Sequence, residues 1–162
     1  MIEVYKGNIK DITNKFPDNY FQSIITSPPY YLQRDYGNDE QIGLEKTSVE
    51  FVDNLVNIFI NLRPKMKDDG LIFVNIDDSY SGSGKGNKSV EPFRKRRDSI
   101  DGIDKKALVR KADEVKRKSL FGVPYRFALR MIENDFILRN DIIWHKPNAV
   151  PESVKDRFTR DY

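Results

Sequence analysis

The residues best suited to chemistry in this chain form one short run, which is Ser27, Pro28, Pro29 and Tyr30. The run follows residues 21–26, whose apolar and β-branched character predicts a buried strand. Each proline fixes its own φ and lacks an N–H, so the strand should end in a rigid turn. A hydroxyl and stiff carbonyls can accept hydrogen bonds from an amino group while a tyrosine ring stacks on the planar ring that carries it. An ordinary proline-terminated strand end is the alternative that these residues alone leave open.

The elements around this turn predict a parallel α/β layer. The clearest second strand is the apolar run 71–76, and a helix capped by Thr47 or Ser48 precedes it. The remaining predicted elements are a strand at 2–5, a helical segment at 9–16, a helix end near Arg63–Pro64, a turn at Asp69–Gly70, a helix near Pro124 and one or two strands within 136–144. Ligands of open α/β sheets bind beyond the carboxyl ends of the strands, where Ser27 should lie.

Composition bounds the class of protein. A chain of 162 residues with 38% hydrophobic and 12% aromatic residues should fold as one domain. It has no cysteine and one histidine, which excludes disulfides, cysteine-ligated metals and a multi-histidine metal site. No apolar run approaches the length of a signal or membrane-spanning segment. We therefore expect a cytoplasmic protein that uses neither a membrane nor a metal.

Positive charge is concentrated in one segment. Residues 85–118 contain thirteen Lys and Arg against six Asp and Glu, whereas the rest of the chain contains fifteen against nineteen. Such a segment predicts contact with a polyanion, and a solvated, partly helical insertion is the alternative. Large apolar residues are sparse there, so we expect a flexible, protruding insertion.

The segment Thr26-Ser27-Pro28-Pro29-Tyr30 resembles motif IV of the amino-group DNA methyltransferases. Residues 122–128, 138–148 and 151–157 resemble the downstream portion of the same enzymes, in the same order and spacing. The resemblance implies a Rossmann-like, S-adenosylmethionine-dependent methyltransferase fold. The order of the blocks implies the circularly permuted β class, in which the catalytic half precedes the target-recognition region and the cofactor-binding half.

The resemblance also implies roles for particular residues. Ser27, Pro28, Pro29 and Tyr30 would be catalytic: the serine hydroxyl and the Pro28 carbonyl would accept hydrogen bonds from the target amino group, and Tyr30 would stack on the flipped base. The cofactor would contact Asn8, Thr26 and Ser27. The residues expected to contact double-stranded DNA are Lys85, Lys88, Arg94, Lys95, Arg96, Arg97, His145 and Lys146. Asp77 either lines the same cleft or is a solvated strand end, and Trp144 is expected in the core.

The residue at position 27 bears on the methylated base. Relatives that act on the N4 amino group of cytosine usually have serine there, whereas adenine-N6 enzymes usually have Asp or Asn. We therefore predict a site-specific cytosine-N4 DNA methyltransferase of the restriction-modification type. Adenine-N6 methylation, a catalytically incomplete DNA-binding fragment and a subunit of a split enzyme remain the alternatives.

Two departures from the family pattern affect the cofactor site. Gly7-Asn8 stands where the family has Gly-Asp, and no Phe-x-Gly-x-Gly motif occurs anywhere in the sequence. We therefore expect residues 1–162 to be a partial catalytic domain, with 85–118 as its basic insertion and 149–162 as the start of the recognition region. A half sheet would expose apolar surface. We expect self-association, or a second polypeptide that carries the missing cofactor half.

Overall fold

The computed structural model describes residues 2–38, 40–81, 115–148 and 154–160. Along them lie α1 (Ile9–Ile12), a 3-10 turn (Thr13–Lys15), β1 (Phe21–Thr26), α2 (Ser48–Leu62), a second 3-10 turn (Arg63–Lys65), β2 (Met66–Val74) and α3 (Val123–Glu133). The two strands are parallel and are joined through a helix. This arrangement confirms the predicted α/β class and is consistent with part of a methyltransferase fold.

The two strands form a sheet with one irregular step. The paired residues are Phe21 with Met66, Ser23 with Leu71, Ile24 with Ile72, Ile25 with Phe73, and Thr26 with Val74. Residues 67–70 therefore stand opposite the single residue Gln22, so β2 has three extra residues here and forms a bulge. The prediction of a turn at Asp69–Gly70 followed by a strand from Leu71 was wrong. Strand β2 already begins at Met66, which pairs with Phe21, so residues 69 and 70 lie in a bulge inside the strand.

Helix α2 begins and ends where its sequence predicts. The Thr47 hydroxyl accepts a hydrogen bond from the Glu50 backbone N–H at 3.1 Å, and the Glu50 carboxylate accepts one from the Thr47 N–H at 3.2 Å. This reciprocal capping box satisfies two donors at the helix start. The helix ends at Leu62, just before Pro64. Its buried apolar residues are Phe51, Val52, Leu55, Val56, Ile58, Phe59 and Leu62.

Helix α3 packs against α2 and completes the helical layer. It begins after Gly122, whose φ of 73° is left-handed, and it has Pro124 in its first turn. The rings of Phe59 and Phe127 meet edge to face with centroids 5.5 Å apart. Val123 and Phe127 are buried in the core that α2 dominates. Among the described residues, no helix combines the length and apolar character needed to cross a bilayer.

The described residues cover one face of the sheet and leave the other face open. Ile24, Ile72 and Val74 point towards the helices and pack against the buried core. On the opposite face, the Ile25 side chain is 79% exposed, and Leu71 and Phe73 are also exposed. The described part of the chain therefore buries one side of the β-layer and leaves an apolar surface on the other.

Some predicted strands are absent from the structure. Residues 2–5 and 136–148 form neither helix nor strand. Trp144 is 68% exposed, so its predicted place in the core was wrong. An apolar run becomes a strand only when a neighbour accepts its backbone hydrogen bonds, and β1 and β2 are the two strands of the sheet that the described residues form.

Candidate active site

The carboxyl end of β1 leads directly into the Ser27–Tyr30 turn. Thr26 is paired with Val74, and the Asn75 N–H donates to the Thr26 carbonyl at 2.9 Å. The ladder can continue no further through the turn, because neither Pro28 nor Pro29 has an N–H to donate. The turn therefore lies at the edge of the sheet where α/β proteins bind ligands.

The polar groups of the turn face one another at the surface. Ser27 is exposed, and its Oγ lies 3.2 Å from the Tyr30 Oη, a distance at which either hydroxyl can donate to the other. The Tyr30 ring is half-buried, so part of it remains available for contact. A planar ring with an amino substituent would find hydroxyl acceptors and an aromatic ring together here.

Tyr31 holds the turn onto the core, and the sequence analysis missed it. Its side chain is 1% exposed, and its ring lies 5.1 Å from Phe121 and 5.5 Å from Phe51, centroid to centroid. The Ser79 hydroxyl donates to the Tyr31 carbonyl at 3.5 Å. Two adjacent tyrosines thus have different environments, and no pattern in the sequence distinguishes the buried ring from the half-buried one.

Two aspartates follow β2 and have different partners. The Asp77 Oδ1 accepts hydrogen bonds from Arg160 Nη2 at 2.6 Å and from the Asp78 N–H at 2.7 Å. Asp77 is therefore in an ion pair at the strand end. Asp78, which the sequence analysis also missed, is 6% exposed and accepts backbone N–H groups of Ser79 and Gly122, each at 2.8 Å. It ties the end of β2 to the start of α3.

Residues 79–81 and 119–121 run antiparallel and form what we call the stem. Tyr80 bridges Leu120, the Ser81 N–H donates to the Ser119 carbonyl at 2.8 Å, and the Phe121 N–H donates to the Ser79 carbonyl at 3.1 Å. The stem lies between the described residues on either side of the segment 82–114. That segment lies outside the described residues, and most of the basic insertion falls within it.

Three residues near the end of the chain hold the stem, and we call them the clasp: Asp156, Arg157 and Arg160. The Lys118 Nζ lies 2.9 Å from Asp156 Oδ2, and the Arg157 guanidinium carbon lies 3.9 Å from the Tyr80 ring centroid. The hydrogen bond from the Lys118 ammonium holds the pKa of the Asp156 carboxyl below its ordinary value. The clasp thus joins residues 154–160 to the stem and, through Arg160, to the end of β2.

The predicted cofactor residues lie on two elements. The Asn8 side chain accepts the Lys10 N–H at 3.1 Å and caps α1, whereas Thr26 and Ser27 end β1. Their amide and hydroxyl groups fit hydrogen bonding to a polar methyl donor. However, no described strand is followed by the glycine-rich turn that lets backbone approach a nucleotide. The described residues therefore include these polar groups and no glycine-rich turn after a strand.

Of the residues predicted to contact DNA, two are described by the structure and six are not. Lys85, Lys88, Arg94, Lys95, Arg96 and Arg97 lie outside the described residues. His145 and Lys146 are described and exposed, and the His145 N–H donates to the Ile143 carbonyl at 3.1 Å. In the part of the chain that the structure describes, no three His, Asp or Glu side chains are grouped as metal ligands.

Comparisons with known proteins find relatives among the type II methyltransferases. The type II methyltransferase M.Cfr9I of Citrobacter freundii is 39% identical, in an alignment that covers 98% of this chain and 51% of the relative. M.SmaI of Serratia marcescens is 36% identical over 99% of this chain and 53% of its own length, and M.MwoI of Methanothermobacter wolfeii is 37% identical over 96% and 19%. The chain thus spans about half the length of the first two relatives.

No solved structure matches this chain. The sequence model of the DNA methylase family, which covers N6 and N4 methyltransferases, matches residues 21–162. That match includes β1, the Ser27–Tyr30 turn, the stem and the clasp. The chain therefore belongs to the DNA methylase family.

Proposed function

We propose that this chain binds the target base of a DNA methyltransferase and presents the N4 amino group of cytosine to S-adenosylmethionine. The observation that carries the proposal is the Ser27–Tyr30 turn at the carboxyl end of β1, with the two hydroxyls 3.2 Å apart at the surface. Family membership and the similarity to type II methyltransferases support DNA as the substrate.

The role of the turn is to hold and orient the amino group. The Ser27 hydroxyl and the Pro28 carbonyl accept its two N–H groups, which directs the nitrogen lone pair away from the protein and towards the methyl donor. The Tyr30 ring stacks on the base that has left the duplex. S-adenosylmethionine supplies an electrophilic methyl group, so the contribution of these residues is positioning.

Ser27→Ala and Tyr30→Ala test this role. The assay is incubation with DNA and S-adenosylmethionine, followed by digestion and mass spectrometry of the nucleosides. Each variant should lower methyl transfer on the order of 10²-fold, because a misplaced amino group reacts slowly. Ser23→Ala and Tyr36→Ala are matched controls, since both side chains are exposed and lie outside the turn. Equal losses in the controls would contradict the role of the turn.

The same digest identifies the base. N4-methylcytosine is the product expected for serine at position 27. N6-methyladenine would show that the adenine alternative is correct while leaving the role of the turn intact. We propose that the modification belongs to a restriction-modification system and takes place in the cytoplasm, where the DNA is.

We also propose that the chain self-associates, or that a second polypeptide carries the missing cofactor half. Two observations support this: the absent glycine motif and the exposed apolar face formed by Ile25, Leu71 and Phe73. Light scattering should therefore show self-association, or purification from the native host should yield a complex. A monodisperse monomer with no partner would contradict this proposal.

Calorimetric titration with S-adenosylmethionine separates two functions. Micromolar or tighter binding supports an active methyltransferase. No binding, in a chain that still binds DNA, favours the second candidate function, a catalytically incomplete DNA-binding subunit. The absent glycine motif is the observation that favours this second candidate.

Charge removal in the basic insertion tests DNA binding under either function. Neutralising Arg94, Lys95, Arg96 and Arg97 together should weaken binding and flatten its dependence on salt, because fewer counterions are released from the DNA. The slope of the logarithm of the binding constant against the logarithm of salt concentration should fall by up to about 0.9 for each phosphate that the variant no longer neutralises. An unchanged slope would show that these residues do not touch phosphate.

A further inference from the structure

Gly43 lies directly behind the Ser27–Tyr30 turn. It is buried, and its φ is +106°, a conformation that residues with side chains rarely adopt. A methyl group at this position would lie 3.0 Å from the Tyr30 carbonyl oxygen and 3.5 Å from Pro29 Cβ. The backbone of the following loop can approach the turn this closely because position 43 has no side chain.

The backbone around Tyr30 has little freedom to move away from position 43. The Leu32 N–H donates to the Gly43 carbonyl at 2.7 Å, which fastens the loop to the turn. The Gln33 N–H donates to the Tyr30 carbonyl at 3.3 Å, so that oxygen is already held. Tyr31 is fixed in the core, so a displacement of the Tyr30 carbonyl must be taken up by Tyr30 itself.

We propose that Gly43 is a positioning residue that sets the orientation of the Tyr30 ring and its contact with Ser27. A side chain at position 43 pushes the Tyr30 carbonyl, and the displacement moves the ring and lengthens the 3.2 Å distance between the two hydroxyls. The consequence for methyl transfer rests on the proposed function. The geometric part of the proposal does not.

The same loop contains a matched control. Gly37 also has a positive φ, of +72°, but a methyl group there would meet nothing within 4 Å. Gly37→Ala therefore introduces backbone strain without a contact, whereas Gly43→Ala introduces strain and a contact with the turn. A difference between the two variants reports the contact together with the larger strain at the φ of position 43.

The experiment places 3-fluorotyrosine at position 30 of the full chain and records its ¹⁹F resonance. Ser27→Ala defines the shift that follows removal of the serine hydroxyl. Gly43→Ala should move the resonance most of the way to the Ser27→Ala position, and Gly37→Ala should leave it within its line width. Equal shifts in the two glycine variants, or no shift in either, would overturn the proposal.

This readout needs neither DNA nor cofactor, so it is independent of the proposed function. If the wild-type chain methylates DNA, Gly43→Ala should lower transfer on the order of 10²-fold and Gly37→Ala should not. A resonance shift in a chain that neither binds DNA nor methylates it would refute the function and leave the positioning role standing.

Amide hydrogen exchange in the unchanged chain decides the case if Gly43→Ala does not fold. The Leu32 amide should exchange about tenfold or more slowly than in an unstructured chain, because the loop is fastened to the turn. Exchange of Leu32 at the unstructured rate would show that the loop does not support the turn, and would overturn the proposal.

Discussion

The core beneath the Ser27–Tyr30 turn and the segment 137–148 contain similar side chains in opposite surroundings. Phe51 and Phe121 are buried around Tyr31, where the turn, α2 and the stem meet. Ile142 and Trp144 are exposed although their local sequence is equally apolar. The comparison shows that apolar character determines burial only where another element covers the residue. The next three predictions test this difference, beginning with the largest effect.

Removal of an aromatic ring should distinguish the two regions most clearly. Phe51→Ala should lower the free energy of unfolding by about 3–5 kcal/mol, because the side chain is fully buried and leaves a cavity. Trp144→Ala should change it by less than about 0.5 kcal/mol. Urea denaturation followed by circular dichroism measures both. A large decrease for Trp144→Ala would show that residues 137–148 are packed in solution, and the two regions would then no longer differ.

The buried Asp78 carboxylate links the end of β2 to the start of α3. Asp78→Ala should lower the free energy of unfolding by about 1–3 kcal/mol, because the Ser79 and Gly122 N–H groups lose their acceptor. Asp68→Ala is the control, since Asp68 is an exposed residue of the bulge in β2. The same urea titration applies. Equal effects of the two substitutions would mean that the link between β2 and α3 contributes nothing to stability.

The elements that the sequence predicted well have local causes. The boundaries of β1 follow from its β-branched residues and the prolines after it, and the start of α2 follows from the capping box of Thr47 and Glu50. The Ser27–Tyr30 turn was identified because its chemistry lies in four consecutive residues. Such signals need no information about distant parts of the chain.

The elements that the sequence missed depend on distant partners. Met66 joins β2 because Phe21 lies beside it, and this pairing cannot be read from the residues around Met66. Tyr31 and Asp78 are important through contacts with Phe121 and Gly122, which are more than forty residues away in the sequence. The strands expected within 136–144 are absent for the same reason, since pairing requires a neighbour.

The smallest expected effect on stability concerns the clasp. Its side chains make specific contacts, as the core does, but they are partly exposed to solvent. The pKa of Asp156 is held below its ordinary value because the Lys118 ammonium donates a hydrogen bond to the carboxylate. A carboxyl whose pKa is lower in the folded state contributes stability above its unfolded pKa of about 3.9 and loses that contribution as pH falls through the folded value. The clasp should therefore stay closed at neutral pH and weaken as acid protonates Asp156.

Lys118→Gln tests whether the Lys118 hydrogen bond lowers the pKa of Asp156. In the variant, the pKa of Asp156 should rise towards its ordinary value, as followed by the ¹³C resonance of its carboxyl group during an acid titration. Both side chains are substantially solvated, so the effect on stability should be slight, and it should disappear below the folded pKa. An Asp156 pKa that does not respond to Lys118→Gln would mean that the ion pair does not form in solution. The stem would then be held through the contact of Arg157 with the Tyr80 ring and the ion pair of Arg160 with Asp77.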